Sequence, residues 1–162
     1  MLKPVDELSL PDPRIATTAG RTGLAPITLL EQHDWVEAIR LGPDTPQAVV
    51  EGFDRARNAF IYAYYVYEFL MLAELQALAT VEMALRLRLG PRAHHKDTLA
   101  NLVQKAVKDG HLSNPPPPNP DLATILTMMR NDLAHGSDHV HLPSMTITLL
   151  EMCADKIRLL FP

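Results

Sequence analysis

Apolar residues recur along this chain with helical spacing, and no stretch alternates with the period of a β-strand. The longest pattern opens at Thr45-Pro46 and continues to Leu89, where Gly90-Pro91 is expected to end it. One seam of this pattern keeps heptad spacing, which predicts the buried side of a single long helix. The seam comprises Phe53, Ala56, Phe60, Ala63, Tyr67, Leu70, Glu74, Ala77, Val81 and Ala84.

A second apolar stripe follows the same segment, so the middle of the long helix is predicted to be covered on more than one side. The rest of its own domain can cover one side. The N-terminal helix or a second subunit can cover the other. The second stripe holds Tyr62, Tyr65, Phe69, Leu72, Ala79 and Met83.

Three shorter amphipathic helices are predicted after the long one. The first is capped by Asp97 and ends at Gly110, because an acidic cap and a terminal glycine are typical helix boundaries. The second starts at Asn119-Pro120-Asp121 and ends at Gly136, and the third begins at Pro143-Ser144. The pattern therefore predicts an all-α protein built on a four-helix bundle.

The chain divides into three predicted segments. Residues 1–26 are rich in proline and are expected to form an extended N-terminal arm with little structure of its own. Residues 27–45 hold one additional helix, which Thr28 caps and which runs to about Leu41. Residues 46–162 form the helical bundle.

Composition limits the classes of protein to which the chain can belong. It has 162 residues, of which 47% are hydrophobic and 21% charged, typical of one globular domain. A net charge of −4 excludes a polybasic protein, and the single Cys153 excludes an internal disulfide. The longest uncharged run, residues 58–67, is too short to cross a bilayer. We expect a cytoplasmic protein without a membrane segment.

The candidate chemistry lies in the sequence Arg130-Asn131-Asp132-Leu133-Ala134-His135. On an ideal helix, the apolar face of this segment centres on Leu126 and Leu133, and Arg130 lies at its margin. Asn131 and His135 are four residues apart, so they are neighbours that project from the opposite side. These two polar side chains are therefore expected to face solvent or another chain.

An arginine and asparagine followed after four residues by a histidine, at the end of the third core helix, resembles the signature of the HEPN superfamily. The resemblance covers residues 53–161 and implies a four-helix bundle of HEPN type. It also implies metal-independent RNA cleavage, for which many members of that superfamily are known, at a site shared across a homodimer. Other members are inactive binding modules.

The resemblance assigns catalytic roles that suit the chemistry of the residues. His135 would act as general base and acid for the ribose 2′-hydroxyl and the leaving group, because histidine titrates near neutrality. Arg130 would hold the phosphate with its planar donor fork, and Asn131 would position His135 or the RNA. The product would be a 2′,3′-cyclic phosphate. Arg130 and His135 lie about 140° apart around one helix axis, which favours a site made from two copies.

Several residues are candidates for supporting roles. Asp132 can orient Arg130, and the inward-facing Glu74 and Glu82 can bond buried partners or orient Arg130. The alternative interpretation is a non-catalytic dimerisation or interaction module of the same fold, which would bind a second copy or a partner protein. In HEPN toxins paired with nucleotidyltransferase antitoxins, a tyrosine stands two residues after the motif histidine. Here that residue is Ser137, which argues against that form of regulation. The resemblance still implies a protein of a defence or toxin-antitoxin type, and a cognate antitoxin or another partner protein stays open.

A basic strip extends from Arg86 to Lys108, with six basic residues and one acid. It can contact an RNA backbone, although a solvated helix end accounts for the same composition. The RNA-binding candidates are Arg86, Arg88, Arg92 and Lys96.

The spacing of His135, His139 and His141 suggests a metal site. No cysteine or acid-x-x-His motif accompanies these histidines, so no metal and no cofactor is predicted.

Overall fold

The computed structural model describes residues 2–18, 25–134 and 141–162 of the chain. Within these ranges the chain forms α-helices and short 3-10 turns but no β-strand, which confirms the all-α prediction. The α-helices of the described residues are α1 (Pro13–Thr17), α2 (Leu29–Glu37), α3 (Gln47–Tyr62), α4 (Phe69–Leu89), α5 (Leu99–Lys108), α6 (Leu122–Ala134) and α7 (Pro143–Leu160).

The prediction of one long helix from residue 46 to residue 89 is wrong. Helices α3 and α4 are separate and pack against each other as a hairpin, so the described part of residues 46–162 contains five α-helices where the sequence pattern predicts four. The heptad seam is nevertheless buried at every position, because folding back places its two halves against each other and the rest of the core. A single straight helix would have left this seam to be covered by other elements.

The break between α3 and α4 lies at residues 63–68, and the four residues 64–67 within it are aromatic or β-branched, types with lower helix propensity than alanine or leucine. The N-terminal arm supplies partners for the backbone exposed there. The N–H of Asp12 donates to the carbonyl of Tyr64 at 2.8 Å, and Lys3 Nζ donates to the carbonyl of Tyr65 at 3.1 Å. Asp12 Oδ2 also accepts the N–H of Tyr67 at 3.2 Å. Contacts between segments far apart in sequence therefore hold this turn.

The expectation of an arm with little structure is wrong for residues 2–18. Asp12 caps α1, whose Ile15 is fully buried in the core. Arg14 donates to Asp12 and, at 2.7 Å, to Glu68 at the start of α4, and its guanidinium lies over the ring of Tyr67 at 4.6 Å. The arm is thus fastened across the α3–α4 turn by charge and by an apolar anchor.

Replacing Asp12 by asparagine is expected to destabilise the protein by about 2 kcal/mol at pH 7. Hydrogen bonds from the Arg14 side chain, together with backbone N–H donors, lower the pKa of Asp12 from 3.8 to about 2. The stabilisation is complete above pH 4, where the unfolded carboxyl is ionised, and is lost as the pH falls through 2. Urea unfolding of parent and variant at pH 7 and near pH 2 measures the difference. A deficit that is the same at both pH values would contradict this origin.

Helix α2 is bound to the hairpin through α3. Thr28 caps it as predicted, but the helix ends at Glu37, four residues before the expected Leu41. The carbonyl of Val36 near that end accepts from Arg57 Nε of α3 at 3.0 Å. Trp35 packs against Phe60 with ring centroids 6.4 Å apart. The additional helix is therefore part of the packed structure on the outer side of α3.

Helix α4 is the central element and packs against α3, α5, α6 and α7. Gly90 caps the end of α4, and Gly110 follows α5. Their φ values of 54° and 75° favour glycine. The cap of α5 is Thr98, not the predicted Asp97. Helix α5 packs against α6, whereas α6 and α7 hardly contact each other directly. This spacing leaves a groove between α6 and α7.

Candidate functional site

Helix α6 carries the first part of the candidate motif and is held by its cap and its buried face. Asp121 caps the helix, with Oδ1 accepting the N–H of Thr124 at 2.8 Å. The last helical residue that the structure describes is Ala134, and the predicted catalytic His135 lies outside the described residues, as does Ser137. The residues that α6 buries are Leu122, Ala123, Leu126 and Leu133.

Arg130 is exposed near the described end of α6, and Asn131 beside it is half-buried. Arg130 Nη1 donates to Asn131 Oδ1 at 3.2 Å, so the structure brings these two candidates together. Asp132 is also exposed, but among the described residues it forms no ion pair with Arg130. The predicted orientation of Arg130 by Asp132 is therefore absent from this part of the chain. An exposed guanidinium bonded to a neutral amide keeps donors for an anionic ligand.

Glu74 is fully buried on α4 and does not bond to Arg130. Its carboxylate accepts from Thr146 Oγ1 at 2.5 Å, and both oxygens lie 2.9–3.0 Å from Nδ1 of His141. Because a buried carboxylate is costly without partners, these two side chains of the α7 region account for its presence in the heptad seam. Of the two roles considered for Glu74, the structure shows hydrogen bonding to buried partners.

The charge of Glu74 also affects the buried Cys153 on α7. Burial, followed by the nearby Glu74 carboxylate, raises the pKa of the thiol from 9.0 to about 12. A buried thiol of this kind is protonated at neutral pH and is a poor nucleophile. Cys153 is therefore a core residue in this site, not a reactive one.

Glu82 pairs with Arg86 one turn along α4, at 2.8 Å from Oε1 to Nη2. The same guanidinium donates to the carbonyl of Asp97 at 2.7 Å and to that of His94 at 3.2 Å. Arg86 therefore ties the end of α4 to the loop before α5. Glu82 supports this loop and is not bonded to Arg130.

Ion pairs neutralise much of the predicted basic strip. Lys105 pairs with Asp97, whose pKa is lowered by this hydrogen bond, and Arg92 pairs with Asp109, one residue beyond the strip. Arg88 lies 3.5 Å from a ring nitrogen of His111, and Lys96 is exposed. Of the RNA-binding candidates, Arg86 and Arg92 thus serve the fold, while Arg88 and Lys96 stay available to a ligand. Their contact with RNA remains a prediction.

Sequence reasoning missed the pairing of His141 with Glu74, because 67 residues separate them and no local pattern marks the contact. Of the three histidines considered for a metal, His135 and His139 lie outside the described residues. A second unforeseen group occurs on α2, where ligand atoms of His33, Asp34 and Glu37 lie within 4.8 Å of one another. All of these α2 side chains are exposed and Glu37 also pairs with Arg40, so the helix spacing alone accounts for the group.

Comparison with known proteins adds no family to this geometry. No protein-family model matches the chain, and neither a curated protein nor a solved structure is significantly similar to it. Within the described residues, no helix is both long and apolar enough to cross a bilayer.

Proposed function

We propose that this chain is a HEPN-like domain that cleaves RNA without a metal ion, at a site that two copies of the chain share. The observation that carries the proposal is the pairing of the exposed Arg130 with the half-buried Asn131 near the described end of α6. Three arginines that serve the fold, Arg14, Arg57 and Arg86, are paired with carboxylates. Arg130 has no such partner among the described residues, which fits a group kept for phosphate.

The arrangement of helices supports the same proposal. Helices α4–α7 make a set of four in which the third, α6, carries the motif near its C-terminal end. This is the position that the resemblance to HEPN domains requires. Helix α3 packs on the outside of this set through its hairpin with α4, together with α2 and the arm.

The proposed reaction needs a proton acceptor and a group that stabilises charge. His135 would take the proton of the ribose 2′-hydroxyl as that oxygen attacks the adjacent phosphorus, and would return a proton to the departing 5′-oxygen. Arg130 would donate to the phosphate oxygens as their negative charge increases. Asn131, already bonded to Arg130, would hold the guanidinium in place. The products are a 2′,3′-cyclic phosphate and a 5′-hydroxyl.

Incubation of the purified protein with mixed RNA in excess EDTA tests this proposal. We expect cleavage in EDTA, with 2′,3′-cyclic phosphate ends identified by their resistance to a phosphatase that removes terminal monophosphates. Arg40→Ala provides a matched control for the Arg130→Ala variant. Arg40 is an exposed arginine just after α2, far along the chain from the motif. Intact RNA with the parent protein, at enzyme in excess over substrate, would contradict a nuclease.

A second candidate function is a non-catalytic interaction module of the same fold. Exposed apolar side chains of the second stripe favour it, since Tyr62 and Leu72 are 57% and 52% exposed. A surface of this kind suits contact with a second copy or a partner protein. In that case Arg130→Ala and His135→Ala would weaken self-association, measured by sedimentation, while RNA stays intact throughout.

A further inference from the structure

The groove between α6 and α7 has the size and lining of a small-molecule site. It is open to solvent and holds about 460 Å³, a volume within the usual range for ligand pockets. Methionines from both helices line it, and their unbranched side chains adapt readily to a ligand. None of the described residues that line it is a lysine or an arginine, which disfavours a phosphate or a nucleic acid as occupant. The lining residues are Met129, His141, Ser144, Met145, Thr148, Leu149 and Met152.

One polar group of this lining is held in a fixed orientation. His141 directs Nδ1 at the fully buried Glu74, which in turn is bonded by Thr146. A carboxylate that accepts from one ring nitrogen fixes both the ring and its tautomer. The imidazole is 29% exposed and lines the groove, and Nε2 is the ring nitrogen that Glu74 does not contact.

Nε2 can match an acidic head group in either protonation state. A neutral imidazole accepts the proton of a carboxylic acid, and an imidazolium donates to a carboxylate. Both arrangements share one proton between the head group and Nε2.

We propose that the α6–α7 groove binds a monocarboxylic acid with an apolar chain, with its head group on His141 Nε2 and its chain along the methionines. The lining of the groove does not include Arg130 or Asn131, the described residues of the candidate RNA site. Met129 lines the groove, whereas Arg130 projects about 100° away around the α6 axis. The proposal therefore does not depend on the proposed nuclease activity.

Titration calorimetry with decanoic acid, below its micelle concentration, tests the proposal. We expect a one-to-one complex with a Kd below about 1 mM and weaker binding of 1-decanol, which lacks the acidic head. His141→Asn is the decisive variant, because its amide nitrogen can replace Nδ1 toward Glu74 while nothing replaces Nε2. It should weaken decanoate binding at least about tenfold and leave decanol binding unchanged.

Two further variants test whether the ligand lies in this groove. His33→Asn, at an exposed position on α2, should leave decanoate binding unchanged. Met145→Glu, at a half-exposed position of the groove, should weaken the binding of both ligands and decides the matter if His141→Asn does not fold. Absence of decanoate binding to the parent would overturn the proposal. So would equal binding of decanoate to the parent and to folded His141→Asn, or equal binding to the parent and to Met145→Glu.

Discussion

Mixing the Arg130→Ala and His135→Ala variants is expected to restore about a quarter of the RNA cleavage rate of the parent. Each variant alone should lose at least about a hundredfold in rate, since each lacks the proton-transfer group or the phosphate-binding group. In a random mixture, half of the dimers contain one chain of each kind. Such a dimer has one site with both groups intact and one site with neither.

The measurement uses a fluorescent RNA and subunits that have been exchanged by mixing before the assay. Tags of different size on the two variants show by electrophoresis that mixed dimers have formed. The double variant, mixed with either single variant, is the control and should recover nothing. If mixed dimers form but do not cleave RNA, the site is not shared between two chains.

Leucine in place of Gly52 is expected to destabilise the protein by about 2–4 kcal/mol. A Cβ at residue 52 would lie 2.9 Å from Met83 Cε and 3.0 Å from Thr80 Oγ1 of α4. Gln76 of α4 also donates to the Gly52 carbonyl at 3.3 Å, which shows how closely the two helices approach. A single straight helix would place no such neighbour there, and leucine would then stabilise it by about 0.8 kcal/mol.

Urea unfolding followed by circular dichroism measures this effect, and its sign distinguishes the hairpin from a continuous helix. Asn58→Leu is the matched control, because Asn58 is an exposed residue of the same helix. Its free energy of unfolding should stay within about 0.5 kcal/mol of the parent. A Gly52→Leu variant that is as stable as the control would contradict the close packing of α3 on α4.

Some features of the candidate site depend on residues close together in the sequence, and others depend on residues far apart in it. Arg130 and Asn131 can be found from sequence as candidates because they belong to one local motif on α6, but the hydrogen bond between them was not predicted. The pairing of Glu74 with His141 cannot be found in this way, since α4 and the start of α7 meet only in the folded chain. Counting charges from Arg86 to Lys108 overestimates the net positive charge of the basic strip. The count omits Asp109, which lies just past Lys108 and pairs with Arg92.

The periodicity of the chain was sufficient to establish an all-α protein, the buried heptad seam, the starts of α2 and α7 and the glycine ends of α4 and α5. These features depend on residues within a few turns of one another, where side-chain spacing and backbone preference act directly. Tertiary contacts alone decided that the long apolar segment breaks at residues 63–68, that the arm packs across the break, and that a buried carboxylate orients His141 in a groove. The reason is that the residues at the break lower helix propensity by less than about 1 kcal/mol each, which is too little to fix where the helix ends. Its position follows from burial of the seam and from partners such as Asp12, which lies more than fifty residues away in sequence.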